Sequence, residues 1–405
     1  MSSEHRPPVV VHVTTIPMTL GFLRGHVAYL KARGFDVHAV SSPEPGLSEF
    51  GEREEVPVHG VFMHRGISPL RDLVSVFKLW CVLRKIRPQI VHAHTPKAGL
   101  LAMIAALLAR VPIRIYHILG LRMMTTKGWK RRLLAATERI ACRLAHQVFC
   151  VSGSVCAEAV SMGLCPDSKI GVPAGGSICG VDAYERFNPN EAADGAKRLR
   201  CELGIPSDAD VVGYIGRLAR DKGLCELAQA WEAVNKSFAS AHLLVVGPPE
   251  PNDPLPPQVL DAMGEDPRVH LAGWVEELTS VYGAMQMLVL ASYREGLPQV
   301  LIEAAAMEVP VVATRIPGIV DAVEDGTTGT LVPVGDSAAL ADAIRAYLED
   351  EELRLRHGRA GRQRVLARFC PQDIFEAVYK EYLRLMRERN LPLPHGASDV
   401  EKVDR

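Results

Sequence analysis

Apolar and polar positions along this chain follow two alternating rhythms. Short runs rich in Val, Ile and Leu are separated by longer stretches with helical spacing. In the first half the short runs cover residues 9–13, 36–40, 89–92, 113–117 and 147–151. Helical patterns lie between them at 22–32, 69–86, 97–109 and 129–145. Ser68-Pro69 reads as an N-cap followed by proline at the first helical position, and Ser152 as a similar cap after a strand. Around 174–206 the periodicity fails in a stretch rich in Gly, Asn, Asp and Ala that includes Pro189. The alternation then restarts with strand patterns at 211–215, 242–246, 269–271, 287–290, 311–314 and 329–332, and helical patterns at 224–235, 297–307, 338–349 and 373–389.

Strands that alternate with helices predict parallel sheets built from βα units, so the fold class is α/β. The expected organisation is two doubly wound, Rossmann-like domains at 1–185 and 209–370, joined by a linker at 186–208. A helix at 371–390 and a disordered tail at 391–405 follow. In such sheets ligands bind outside the carboxyl ends of the strands.

A chain of 405 residues with 48% apolar and 23% charged residues has the balance of a soluble globular protein with material for two cores. The net charge of -1 hides an asymmetry. Residues 1–190 hold 23 Lys+Arg against 13 Asp+Glu, and residues 191–405 hold 23 against 34. From Leu73 to Thr137 there are 12 basic residues and no carboxylate, which predicts a basic face suited to an anionic partner. The nine cysteines form no CxxC pair, which argues against a zinc ribbon or a redox pair and for free thiols in a reducing compartment. The N-terminus lacks the apolar core of a signal peptide, and the longest apolar run, 99–109, is too short to span a bilayer. A cytoplasmic protein is expected, with peripheral attachment to the inner face of the cell membrane as one option.

Chemistry concentrates in two segments of the second half. In Gly213-Tyr-Ile-Gly216-Arg217-Leu-Ala-Arg220-Asp-Lys222-Gly223 a strand ends in glycine, and a guanidinium and an ammonium follow just before a helix. Arg offers a planar fork, Lys a point charge and the helix start unpaired amides, a set that suits a diphosphate; a salt-bridged surface loop would read the same way. In Ser292-Tyr-Arg294-Glu295-Gly296-Leu297-Pro298-Gln-Val-Leu-Ile-Glu303-Ala a strand enters a tight turn and then a helix. Glu295 and Glu303 lie about two turns apart, so both can face one cleft; ionised carboxylates only accept hydrogen bonds, which suits sugar hydroxyls. Glycine-bearing loops at 15–22 and 175–182 read equally as ligand wraps or as plain turns. Asp208-Ala-Asp210 matches a metal-binding DxD but lies in a turn before a strand, and no metal site is assigned. His92, His94 and His117 end predicted strands, where active-site groups gather, although a lone histidine there is more often structural.

These segments resemble glycosyltransferase family 4, retaining enzymes of GT-B fold. Arg217 and Lys222 match that family's G-R-L-x-x-x-K-G segment, and Glu295 and Glu303 its E-x7-E motif. The likeness runs from about Val9 to Leu348. His92-Ala-His94-Thr-Pro-Lys97-Ala-Gly99 and Gly176-Ser-Ile-Cys-Gly-Val-Asp182 resemble the branch that extends lipid-linked oligosaccharides and exopolysaccharide units. The resemblance implies two Rossmann-like domains facing a central cleft, with the C-terminal helix crossing back to an N-terminal, acceptor-side domain. It implies metal-independent transfer of a hexose or N-acetylhexosamine from a nucleoside diphosphate donor, such as a UDP-sugar, to a lipid-diphosphate-linked or glycan acceptor. The nucleotide sugar is a co-substrate and no cofactor is implied. Arg217 and Lys222 would hold the diphosphate, Glu303 the ribose and Glu295 the transferred sugar. Gly216, Gly296, Leu297 and Pro298 would complete the donor pocket, and Gly21 would let the N-terminal loop approach the phosphates. His92, His94 and Lys97 are candidates on the acceptor side. Glu295, Arg217 and Lys222 would be the catalytic groups, with His117 as a further catalytic candidate standing in for the donor-contacting residue where this chain carries Leu119; Cys179, Val309-Pro310 and Val320-Asp321 also depart from the family's pattern.

A nucleotide-sugar epimerase of the same fold and a non-catalytic subunit of a polysaccharide assembly complex are the alternatives. A nicotinamide dehydrogenase is disfavoured, because Val13 leads into Thr-Thr-Ile-Pro rather than GxGxxG. No nucleic-acid partner is expected.

Overall fold

The computed structural model describes residues 6–251 and 253–395. The last part of the expected tail, 396–405, lies outside the described residues. The chain divides into two compact units, residues 1–179 with 371–405, and residues 180–370.

The first unit is built on strands β1 (Val9–Val13), β2 (Asp36–Ser41), β3 (Val58–Gly60), β4 (Ile90–His94), β5 (Ile113–Ile118), β6 (Gln147–Cys150) and β7 (Ile170–Gly171). They form one parallel sheet in the order β3-β2-β1-β4-β5-β6-β7. The two-residue period divides the side chains between two cores. Val11, Val13, Val91, Ala93, Tyr116 and Ile118 pack beneath helix Pro96–Leu108, which is apolar on nearly every side. A β-carbon on Gly99 would stand 2.2 Å from the Tyr116 ring, so only glycine lets this helix sit so close to the sheet. On the opposite face Val10, Ile90, Ile113 and Ile115 share a core with Val378, Tyr379, Tyr382 and Met386 of helix Pro371–Glu388. The C-terminal helix therefore returns to this unit, as expected.

The second unit holds β8 (Asp210–Ile215), β9 (Ala241–Val246), β10 (Val269–Gly273), β11 (Met287–Leu290), β12 (Val311–Thr314) and β13 (Gly329–Val332). They form a parallel sheet in the order β10-β9-β8-β11-β12-β13. In both sheets the strand order reverses beside the first strand of the unit, at β1/β4 and at β8/β11. Loops after these strands frame the crevice in which open α/β sheets take ligands.

Four local readings change. The stretch expected to link the domains, 186–208, carries helix Ala193–Glu202, whose Ala196 lies in the core of the second unit. Its single fully buried residue gives too weak an apolar stripe to be read as a helix. The second unit also begins earlier than 185, at Gly180. Val181 donates its amide to Phe369 O at 2.8 Å, and Arg362 donates to Ala183 O at 2.8 Å and Phe187 O at 3.1 Å, which ties 181–187 to this unit. At the other end Leu391 and Leu393 pack against the first unit's core, so 391–395 is not a loose tail. Finally, Ser68 holds the N-cap position with no side-chain bond, whereas Ser152 Oγ accepts from Val155 N at 3.4 Å.

Candidate functional site

The second unit gathers charged groups where β8 and β11 end. Tyr214 Oη donates to Arg217 O at 2.8 Å and fixes the turn after β8. Gly223 has φ +71°, and a β-carbon there would lie 2.0 Å from Ala291 O. The start of helix Leu224–Asn235 is thus pressed against the end of β11, a contact only glycine permits. Lys222 Nζ is thereby brought to Glu295 Oε1 at 2.6 Å, and Ser292 Oγ donates to the same oxygen at 2.7 Å. Arg294 binds Asp221 at 2.7 Å, and Tyr293 donates its amide to Asp221 O at 2.9 Å, so the two loops are stitched together at several points. Arg217 pairs with the buried Glu250. Both expected phosphate ligands are therefore already engaged by carboxylates.

Beyond the turn, Gly296 and Pro298 are buried, Leu297 is half-buried, and helix Gln299–Ala306 begins. A β-carbon on Gly318 would meet Gly296 O at 2.2 Å, which packs a second glycine loop against this turn. Glu303 lies inside the helix and is buried. Tyr282 Oη donates to its Oε2 at 2.8 Å. Burial pushes the Glu303 carboxyl up from 4.5 to about 7, opposed by the Tyr282 hydrogen bond and by Arg186. Glu295 and Glu303, which share a motif, thus live in different environments. The first faces an ammonium and a hydroxyl, and the second is buried beside a tyrosine.

The remaining candidates lie in the first unit. Gly21 is exposed, with open space where a β-carbon would stand. Lys97 Nζ is paired with Asp72 at 2.6 Å. His92, His94 and His117 are fully buried rather than set at a rim. They join His12 and His26 in a cluster of imidazoles, with His92 and His94 ring centroids 4.2 Å apart. Burial lowers every one of their pKa values, to about 4 for His26 and about 3 for His117, so all five are neutral near pH 7. Thr95, which follows β4, has φ +73° and ψ 148°, a strained backbone for a β-branched residue.

Sequence reasoning did not single out Glu250, Ser292, Tyr282 or His12. Glu250 follows Gly247-Pro-Pro at the end of β9, and a strand ending in glycine is the signal that marked Gly216 too. Ser292 lies within the Glu295 motif, where the sequence gives its hydroxyl no distinct signal. Tyr282 carried no signal, because its meeting with Glu303 depends on helix packing. His12 sits in Val-His-Val, and a single polar residue in an apolar strand is the signal that could have found it.

Residues 22–175 match the family described as Glycosyl transferase 4-like domain, and residues 209–350 match Glycosyl transferases group 1. The chain is 34% identical to the capsular polysaccharide biosynthesis glycosyltransferase CapM of Staphylococcus aureus, over 94% of this chain and 98% of that one. It is 25% identical to the UDP-Gal:alpha-D-GlcNAc-diphosphoundecaprenol alpha-1,3-galactosyltransferase of Escherichia coli, over 88% and 92% of the two chains. Anabaena HepE, solved in complex with UDP-glucose, superposes with a TM-score of 0.75 at 19% identity, covering 93% of this chain and 99% of that one. The chain belongs to the GT-B glycosyltransferases related to those of polysaccharide synthesis, and its two Rossmann-like units are those of that fold.

Proposed function

We propose that this protein is a retaining, hexosyl-type transferase that takes its sugar from a UDP-sugar and extends a lipid-diphosphate-linked or polysaccharide acceptor. The observation that carries the reading is the Lys222–Glu295–Ser292 cluster, set between two glycine-dependent close approaches at the ends of β8 and β11. Arg217 and Lys222 exchange their carboxylate partners for the donor's diphosphate. Glu295, released from Lys222, accepts hydroxyls of the transferred sugar, and ionised Glu303 accepts the ribose hydroxyls. Charge on the departing diphosphate is met by these two cations and by the start of helix Gln299–Ala306, without a metal ion at this site. The acceptor hydroxyl attacks from the face the diphosphate leaves, and the diphosphate takes its proton, so no protein nucleophile takes part. HepE, with its UDP-glucose, supports the donor class, and the E. coli galactosyltransferase supports a lipid-diphosphate acceptor.

The acceptor reading extends to a membrane surface. No described helix is long and apolar enough to cross a bilayer. On helix Pro69–Ile86, however, Leu70, Leu73, Val74 and Phe77 form one stripe, with Leu70 80% and Phe77 61% exposed. Arg71 and Lys78 flank the stripe. Trp129 is 65% exposed beside Lys130, and Arg131, Arg132 and Arg139 line an open groove of about 490 Å³. Apolar side chains with flanking cations suit peripheral attachment to an anionic inner leaflet.

Calorimetric titration with UDP and a panel of UDP-sugars tests the donor site. Wild type is expected to bind at micromolar concentration, with Lys222→Ala weaker by about 10- to 100-fold, the value of a lost charged hydrogen bond. Equal affinity in the two proteins contradicts the phosphate role. A chain that converts its donor in the absence of any acceptor is an epimerase instead.

A further inference from the structure

The donor chemistry proposed above uses none of the buried imidazoles of the first unit. We propose that His12, His92 and His94 form a binding site for one borderline first-row transition-metal ion, of which Zn2+ is the best fit, joining the ends of β1 and β4.

Strand register sets the cluster. His12 pairs with His92 across β1 and β4, and His94 pairs with His117 across β4 and β5. Partners in a parallel pair point to one face, as do residues two apart in a strand. All four rings therefore lie on the face that also carries Val10, Ile90 and Ile115, under helix Pro371–Glu388. One nitrogen from each of His12, His92 and His94 lies within 4.8 Å of the other two. His12 Nδ1 and His94 Nε2 are 3.1 Å apart, joined by a hydrogen bond that an ion would replace. Two ligands of one tetrahedral zinc stand about 3.3 Å apart, given Zn–N bonds of about 2.0–2.1 Å.

Hydrogen bonding independently points to a ligand. His92 Nε2 is buried with no partner, and a buried ring nitrogen left unsatisfied is uncommon. His92 also has the outer-shell partner typical of a metal ligand. Its Nδ1 meets Tyr382 Oη at 2.6 Å, which orients the ring and leaves Nε2 for an ion. An all-imidazole set excludes Mg2+ and Ca2+, which need oxygen ligands, and fits zinc. Three neutral ligands leave the ion its full charge, so a small anion such as hydroxide completes the shell.

The ion's place suggests a structural staple. Thr15 and Thr95, just beyond the two strands, already bond through their hydroxyls at 2.7 Å. Holding β1 to β4 fixes the loops that lead to Gly21 and Lys97.

The test uses tag-free full-length protein, stripped with a chelator and then offered Zn2+ or Co2+. One zinc per chain by elemental analysis, a submicromolar Kd by competition with a chromophoric chelator and a tetrahedral Co2+ spectrum are expected. Zinc should also raise Tm. His94→Gln should lose stoichiometric binding, and Tyr382→Phe should weaken it about tenfold. His38→Gln and His242→Gln break the His38–His59 and His242–His270 contacts, which lie outside the cluster, and should change nothing. Wild-type protein that takes up no stoichiometric zinc, or gives only an octahedral Co2+ spectrum, overturns the site without recourse to any variant. Uptake that His94→Gln leaves intact overturns it as well.

Discussion

Replacing Glu303 with glutamine tests the electrostatics of the second unit directly. Burial raises this carboxyl from 4.5 to about 7, so the folded chain holds a proton there that the unfolded chain has already released. The sign follows: stability from this group is complete below pH 4.5 and is lost as pH rises through about 7. The full window is worth about 3 kcal/mol, of which about 2 kcal/mol falls between about pH 5.5 and about pH 8. Glutamine keeps the shape and can still meet Tyr282 Oη, but it does not titrate. Glu303→Gln should therefore lose about 2 kcal/mol less unfolding free energy than wild type over the same pH interval. Urea unfolding followed by tryptophan emission measures this. A Trp80→Phe, Trp129→Phe background leaves Trp231 and Trp274, both in the second unit, as reporters. If the two proteins show the same pH dependence, Glu303 is not the desolvated acid described here. The same ionisation bears on binding, since only the carboxylate is free of its own proton to accept both ribose hydroxyls. UDP affinity should rise as pH passes through about 7 and should vary less in Glu303→Gln; a pH-independent Kd in wild type sinks the ribose role while leaving the stability argument standing.

In the first unit Glu138 is buried, accepts from Tyr116 Oη at 2.7 Å and is likewise raised to about 7. Glu138→Gln should flatten the pH dependence of that unit's unfolding in the same direction, and an unchanged slope counts against the desolvation argument. Gly223→Ala forces a β-carbon to within 2.0 Å of Ala291 O at φ +71°. It should cost at least about 2 kcal/mol, seen as a clear fall in Tm, and an unchanged Tm refutes the close approach. Leu73→Glu with Phe77→Glu should leave stability within about 0.5 kcal/mol, because both side chains are exposed, yet reduce co-sedimentation with anionic vesicles at low salt. Equal sedimentation of the variant and wild type removes the membrane role of this helix.

The order of strands and helices was readable from periodicity, because strands buried on both faces must be apolar and the helices between them must present a stripe. The glycosyltransferase motifs around Arg217, Lys222, Glu295 and Glu303 were equally local, since each lies within one strand–turn–helix segment. Periodicity could not resolve elements too short or too weakly apolar to show it: the three residues of β3, the two of β7 and helix Ala193–Glu202. Partnership lay outside the sequence altogether. Lys222 and Glu295 are 73 positions apart, Arg217 and Glu250 are 33, and Glu303 and Tyr282 are 21. Whether a carboxylate faces a cation or a buried phenol depends on which loops the sheet brings together. The histidines make the same point: each reads as an isolated polar residue at a strand end, and only the β1–β4–β5 register stacks them on one buried face. Chain pattern settles the local geometry, because backbone preferences act over a few residues. Ionisation and ligation are settled by desolvation and by contacts that exist only once the sheet has formed.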